Sequence, residues 1–389
     1  MTAAALGTAT ARAQGRDTPL RIARDVAEDL AADAIARDRA GRPPVDEVAR
    51  LREAGLLAAL VPPGRTHGVD WRTGCAVVHE IATADSSVGE LLARHYVHAW
   101  SGRFYATAHR AAALERDTAR DQLLWAGGVR TAAPDGGVPD LTLTPLHSGY
   151  LLNGRRAVDT AVTVADRFVV DALCAVTGDV LVVRVPSGRP GVSVEPARDR
   201  LGQRVAGAGR VAFDRVAVAP AQVLGPRPYD EESTAPFTAL AAPALRLALC
   251  HVGLGIAEGA LSEARDACPG GRLPATGPDV LLAFGELASA ARTAAAVVER
   301  ATAAMAGALE AGPHIDADEP ADVAALVATA ETVTAEAALH ITTRVPELAD
   351  APGLDRFWRN ARVLTADRST AHRLRDIGEH YLNGAYRPG

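Results

Sequence analysis

The stretch "LDRFWRNARVLTADRS", Leu354 to Ser369, sets arginines at 356, 359, 362 and 368 around Phe357, Trp358 and Asn360. Guanidinium groups at that density offer forked recognition of carboxylate or phosphate, which their fixed planar geometry suits. A second concentration of chemistry is "ARHYVHAW", where His95 and His98 supply imidazoles that can hand over a proton near neutral pH. Cys75, Cys174, Cys250 and Cys268 lie far apart with no CxxC and no histidine at metal-ligand spacing, so neither a zinc site nor a disulfide framework is expected. The chain has no lysine, and all 41 basic residues are arginine. Schiff-base, pyridoxal-phosphate and phosphate-loop lysine chemistry are therefore excluded.

On a helix, Phe357, Ala361 and Leu364 share one stripe, so Phe357 reads as core, while Arg356, Arg359 and Arg362 drift around the neighbouring face. Most of these arginines are expected to pair with acids of the same helical region. Asn360, with Arg359, is the residue expected nearest a cofactor or a subunit contact, and Arg368, Arg373 and Arg375 read as a solvated basic face.

The elements that must position these groups follow from periodicity. Up to about residue 122 the pattern is helical: Ile22, Val26, Leu30 and Ala34 recur at four-residue spacing, and Asp46 after Pro43-Pro44 caps a second helix. From 123 to 228 the chain alternates, is rich in valine and turns at "LLNG" and "PSGRPG", which predicts a β domain. From 229 to 389 long alanine-rich segments, 237–267, 278–311, 320–343 and 355–381, predict a four-helix bundle. Residues 1–18 read as a disordered tail and 19–122 as an N-terminal helical domain. With 48% hydrophobic residues and a net charge of −6, the chain reads as an ordinary globular one with no nucleic-acid partner. No signal-length apolar core is seen at the N-terminus, and no later stretch offers about 18 uncharged apolar residues, so a cytoplasmic protein is expected.

Helical domain, β domain and helical bundle in that order resemble the acyl-CoA dehydrogenase-like architecture, an α+β fold with a central β-barrel. The strings "LREAGLLAALVPP", "VVHEIATADSSVGELLARHYVHAW", "LLNGRRAVDTAVTVADRFVV", "LGQRVAGAGRVAFDRVAVAPAQVLG" and, above all, "DRFWRNAR" with "HYLNG" sharpen the likeness. In order and spacing they resemble the branch typified by dibenzothiophene monooxygenase and related sulfur-acquisition and N-oxidising flavin monooxygenases, over roughly residues 20 to 387. The resemblance implies a homo-oligomer, tetramer or dimer, that binds FMN or FAD between β domain and bundle. It further implies a partner reductase delivering reduced flavin, O2 adding to the ring, and a small organic substrate oxidised at sulfur, nitrogen or a ring carbon.

The same resemblance assigns roles. His95 falls where these enzymes carry a helix histidine facing the flavin; from the residues alone, His95 or His98 also reads as a half-buried helix histidine next to Tyr96 and Trp100. Thr160 matches a hydroxyl at the flavin edge. Gly128 stands where relatives have an asparagine, leaving the backbone from Gly128 to Thr131 to make that contact. Arg272, after two glycines, matches an arginine on the flavin phosphate, and Asn360 is a further cofactor contact. Leu364 and Asp367 occupy positions where the typical monooxygenase has histidines, so Asp367 could serve as acid only if burial raised its pKa above the usual value of about 3.9. Two rival readings remain: an acyl-CoA dehydrogenase-like desaturase, whose base position lands on Ala351 beside Asp350, and a flavin-binding protein that has lost catalysis.

Overall fold

The computed structural model describes residues 18–61, 70–129, 140–227, 234–268, 277–366 and 370–383. Among the described residues seven helices come first: α1 (18–31), α2 (Ala34–Ala40), α3 (Val45–Glu53), α4 (Trp71–Ala84), α5 (Ser86–Ala99), α6 (Ser101–Tyr105) and α7 (Ala108–Asp121). Aspartates start the two that matter most for the site. The Asp70 carboxylate accepts from the Thr73 N–H, and Asp85 accepts from the N–H groups of Ser87 and Val88, satisfying donors that a helix start leaves unpaired. All fourteen residues of α5 are buried, so this helix runs through the interior of the protein.

Eight strands follow among the described residues: β1 (Trp125–Gly128), β2 (Leu141–Leu146), β3 (Gly149–Val158), β4 (Arg167–Cys174), β5 (Val180–Pro186), β6 (Val192–Pro196), β7 (Gly209–Val218) and β8 (Val223–Pro226). They pair in the order β6-β7-β3-β2-β4-β5-β8, with β1 branching off in parallel to β4. Among the described residues no pairing joins β6 to β8. Residues Phe168 to Ala172 of β4 are buried without alternation, as expected of a strand covered on both faces.

The C-terminal helices are α8 (Pro236–Ala239), α9 (Ala241–Ala267), α10 (Pro278–Ala311), α11 (Glu319–Leu348), α12 (Asp355–Leu364) and α13 (Thr370–Asn383). The single final helix expected over 355–381 is two, α12 ending at Leu364 and α13 starting at Thr370. α9, α10 and α11 pack on one another, and α4 and α5 of the first region join them along α9. That close approach needs glycine: a Cβ at Gly255 would lie 2.7 Å from the Ala82 Cβ, and one at Gly259 2.5 Å from the Thr83 carbonyl oxygen. α9 is apolar because it is a core helix, two-thirds buried over its most apolar stretch, whereas the corresponding stretch of α10 is only 17% buried.

Candidate active site

A cavity of about 1030 Å³ lies between α5, α6, the strands and the C-terminal helices. It stands at the upper end of the range of about 300–1,000 Å³ for ligand pockets, room for a cofactor and a small substrate together. Its walls are mixed. Val97, Phe104, Val169 and Leu249 give apolar surface, and Arg94, His98, Arg246, Glu331 and Arg373 give polar surface.

α5 decides which histidine reaches this space. Arg94, Val97, His98 and Ser101 recur at helical spacing and line the cavity, while His95, Tyr96 and Trp100 lie on the other side. The His95 ring bridges two backbone groups: Nε2 donates to the Leu57 carbonyl at 2.7 Å, and Nδ1 accepts from the Trp125 N–H at 3.0 Å. Tyr96 Oη donates to the Leu56 carbonyl and Trp100 Nε1 to that of Leu60, so these side chains together bind the 3-10 turn Leu56–Ala58 and its exit to α5. The role of proton donor assigned to His95 does not fit this geometry, because both ring nitrogens are committed to backbone and the residue is off the cavity wall. Burial depresses its pKa to about 4, so the ring stays neutral in the one tautomer its two partners require.

His98 is the cavity imidazole. It is 5% exposed and its Nε2 has no hydrogen-bond partner among the described residues. Its pKa falls to about 3, through burial first and then the nearby Arg94 guanidinium and His95, while a backbone contact with Gly127 acts the other way. An imidazole with that value is neutral at physiological pH, so it polarises or accepts rather than arriving as an imidazolium. Beside it, Arg94 bonds Glu90 at 2.9 Å and Asp159 at 2.8 Å, which fixes its guanidinium at the wall.

The arginine-rich helix α12 turns out to be a joint between regions. Arg356 forks onto Glu263 of α9, and Arg359 reaches Asp38 of α2 at 2.6 Å, the Leu201 carbonyl and Asp355. Asn360, expected at the cofactor, is instead a buried clamp: its Oδ1 accepts from the Gln203 N–H at 2.7 Å and its Nδ2 donates to Ser86 Oγ at 2.9 Å. Phe357 is core, as its stripe predicted. Among the described residues of this segment, Leu364 and Thr365 reach the cavity.

Thr160 is buried just after β3 and is not on the cavity wall. Gly128 ends β1 beside the wall residue Val129, and a Cβ there would meet nothing within 4 Å, so the missing side chain leaves open space. Its carbonyl accepts from Arg156, which also bonds Asp140 and Asp171 and so ties β1, β3 and β4 together under the cavity. Thr131, Arg272 and Asp367 lie outside the described residues. Arg373, expected to be solvated, is 3% exposed, pairs with Glu331 and lines the cavity. Asp350 is exposed and neither it nor Ala351 is on the wall, which leaves the desaturase reading without its base. His98 could have been found from the sequence by extending the Arg94 face to residues 97, 98 and 101. Arg156 and Arg373 carried no signal, because a buried ion-paired arginine and a surface one have the same letter.

No family model matches the chain. It is 30% identical over 399 residues to dibenzothiophene monooxygenase of Rhodococcus qingshengii, covering 95% of this chain and 94% of that protein. It is 28% identical over 383 residues to the probable FMNH2-dependent monooxygenase SfnC of Pseudomonas putida, covering 94% of each. Of solved structures, TdsC from Paenibacillus sp. A11-2 in complex with FMN and indole has a TM-score of 0.87 at 28% identity, over 95% of this chain and 98% of that one. Butyryl-CoA dehydrogenase from Megasphaera elsdenii, at 19% identity and a TM-score of 0.78 over 95% and 98% of the two chains, shares the fold.

Proposed function

The chain belongs to the flavin-dependent monooxygenases typified by dibenzothiophene monooxygenase, and on that premise we propose that the cavity beside His98 is its active site. The protein is a flavin oxidoreductase of acyl-CoA dehydrogenase-like fold that takes reduced FMN from a partner reductase and uses O2 to oxidise a small organic molecule. The cavity suits that cofactor: it has the volume, Val129 and Val169 give apolar surface for a flat ring, and the orphaned His98 Nε2 gives a polar edge. Bound flavin supplies the reducing electrons and the activation of O2.

What the chain's own residues do follows from their surroundings. Val97, Phe104, Leu249 and Leu364 exclude water from the reaction space. His98, neutral and unpartnered at Nε2, holds or accepts a hydrogen bond from a group bound beside it, and this is the observation that carries the reading. His95 positions it indirectly, by fixing α5 against β1 and the turn Leu56–Ala58. Thr131 and Arg272 remain the proposed backbone and phosphate contacts of the cofactor. The reading is tested by mixing the anaerobic complex of protein and reduced FMN with oxygenated buffer and following flavin absorbance. Reoxidation is expected to be slower than for free reduced FMN and to change in His98→Leu; identical traces for protein-bound and free flavin would remove the basis of the proposal.

The proposal extends to assembly and location. The thinly covered apolar face of α10, with Leu281 and Leu282 exposed, supports a homo-oligomer, and a cytoplasmic location accords with a reductase partner. The division at 122/123 and 228/229 accords with α7 ending at Asp121, β1 starting at Trp125 and β8 ending at Pro226.

A further inference from the structure

Four threonines of α11, Thr329, Thr332, Thr342 and Thr343, donate their hydroxyls to the carbonyl four residues back. Thr334 of the same helix does not. Its Oγ1 is buried without a partner among the described residues, and the residue lines the cavity. Gly253 of α9 accounts for the posture: a Cβ at 253 would stand 2.8 Å from the Thr334 methyl, so the glycine leaves the dent into which that methyl fits. One turn earlier on the same stripe of α11 is Glu331, 3.5 Å from the buried Arg373 of α13. Arg246 of α9 and Asp376 of α13 complete this wall. Cys250 lies on the same cavity wall, and burial first, then Glu331, raises the pKa of its thiol, while Arg246 and Arg373 act the other way.

We infer that this wall recognises an amphoteric substrate, a small molecule carrying an ammonium group together with a hydrogen-bonding oxygen; the inference rests on the monooxygenase reading of the same cavity. The wall holds two guanidinium groups, two carboxylates and an orphaned hydroxyl. An apolar guest strips water from the exposed part of that wall and leaves the Thr334 hydroxyl without a hydrogen bond, which penalises its binding. An ammonium group can instead face Glu331 and Asp376, while a carboxylate or hydroxyl oxygen meets Arg246, Arg373 and Thr334. Val97, Phe104 and Val169 of the same cavity take the molecule's apolar part and leave His98 for its remaining polar atom.

Indole, tryptamine and tryptophan make a matched series, adding first an ammonium and then a carboxylate to one ring. Their binding to the FMN-saturated full chain is measured by titration calorimetry, after FMN binding itself has been measured by quenching of flavin fluorescence. Tryptophan is expected to bind at least about tenfold more tightly than indole, with tryptamine between. Thr334→Val and Glu331→Gln should each reduce that preference severalfold without weakening indole; should the second variant fail to fold, the first carries the test alone. Equal binding of all three, tighter binding of indole, or no binding by any of them overturns the inference. Failure to bind FMN strikes the monooxygenase reading itself, whereas FMN binding without the amphoteric preference strikes this inference only.

Discussion

His95 is the residue for which position on the helix and role in the cavity diverge most, and His95→Ala separates them. The substitution strands the Leu57 carbonyl and the Trp125 N–H, both of which the imidazole satisfies at 2.7 and 3.0 Å in the interior. A buried polar group left without its partner costs about 1–3 kcal/mol, so two cost about 2–6 kcal/mol before any lost packing is counted. Unfolding entropy of about 2.1 cal/mol/K per residue gives about 0.8 kcal/mol/K for this chain of 389 residues, so a loss near 4 kcal/mol lowers the melting temperature by about 5 °C. His95→Gln, with one donor and one acceptor on a flexible stem, should recover part of that loss. His98→Leu gives up a single backbone contact, with Gly127, which costs about 1–3 kcal/mol or about 1–4 °C, yet should lose substrate oxidation. Circular dichroism melts, with FMN binding and reductase-coupled oxygen uptake on the same preparations, read all three variants. If His95→Ala melted like the parent while turnover vanished, the structural assignment of His95 would be refuted.

Three further outcomes follow from other contacts. His95, His98 and His251 are depressed by burial to about 4, 3 and 3, so below the ordinary value of about 6.5 the unfolded chain takes up protons that the folded chain refuses; stability should be full above that pH and fall as pH drops toward 4, by up to ~3 kcal/mol per histidine, in urea titrations at stepped pH. Asn360→Ala should cost ~2–4 kcal/mol of stability through the stranded Gln203 N–H and the lost hydrogen bond to Ser86, whose hydroxyl keeps its bond to the Gln203 side chain, while changing the FMN dissociation constant less than about threefold; a tenfold loss of FMN affinity with normal stability would return Asn360 to the cofactor. Leu282→Arg on the exposed face of α10 should shift the protein to a smaller species in sedimentation velocity, and an unchanged sedimentation coefficient would show that α10 is not a subunit contact.

The resemblance read from "DRFWRNAR", "HYLNG" and the order of regions carried the family and the cofactor, and it did so because those strings occupy load points of the fold: Arg356, Arg359 and Asn360 each bridge α12 to a different region. The same fact misled the assignment of roles. A residue fixed by its contacts across regions looks, in one dimension, like a residue fixed by chemistry.

Periodicity and capping chemistry determined the helices and strands, because the alternation of apolar residues and the placement of Asp70, Asp85, glycine and proline are local properties of the chain. The chain by itself also determined what chemistry was impossible, since a protein without lysine cannot run lysine chemistry in any fold. Which imidazole faces the cavity was decided only in three dimensions: His95 and His98 are one turn apart on α5, and the direction of each depends on where β1 and the turn Leu56–Ala58 pack. The same holds for Arg373 and Thr334, whose burial on the cavity wall comes from helices brought together across the chain. Electrostatic environment is a property of neighbours in space, so the depressed pKa values and orphaned polar atoms that mark this site appear only once the packing is known.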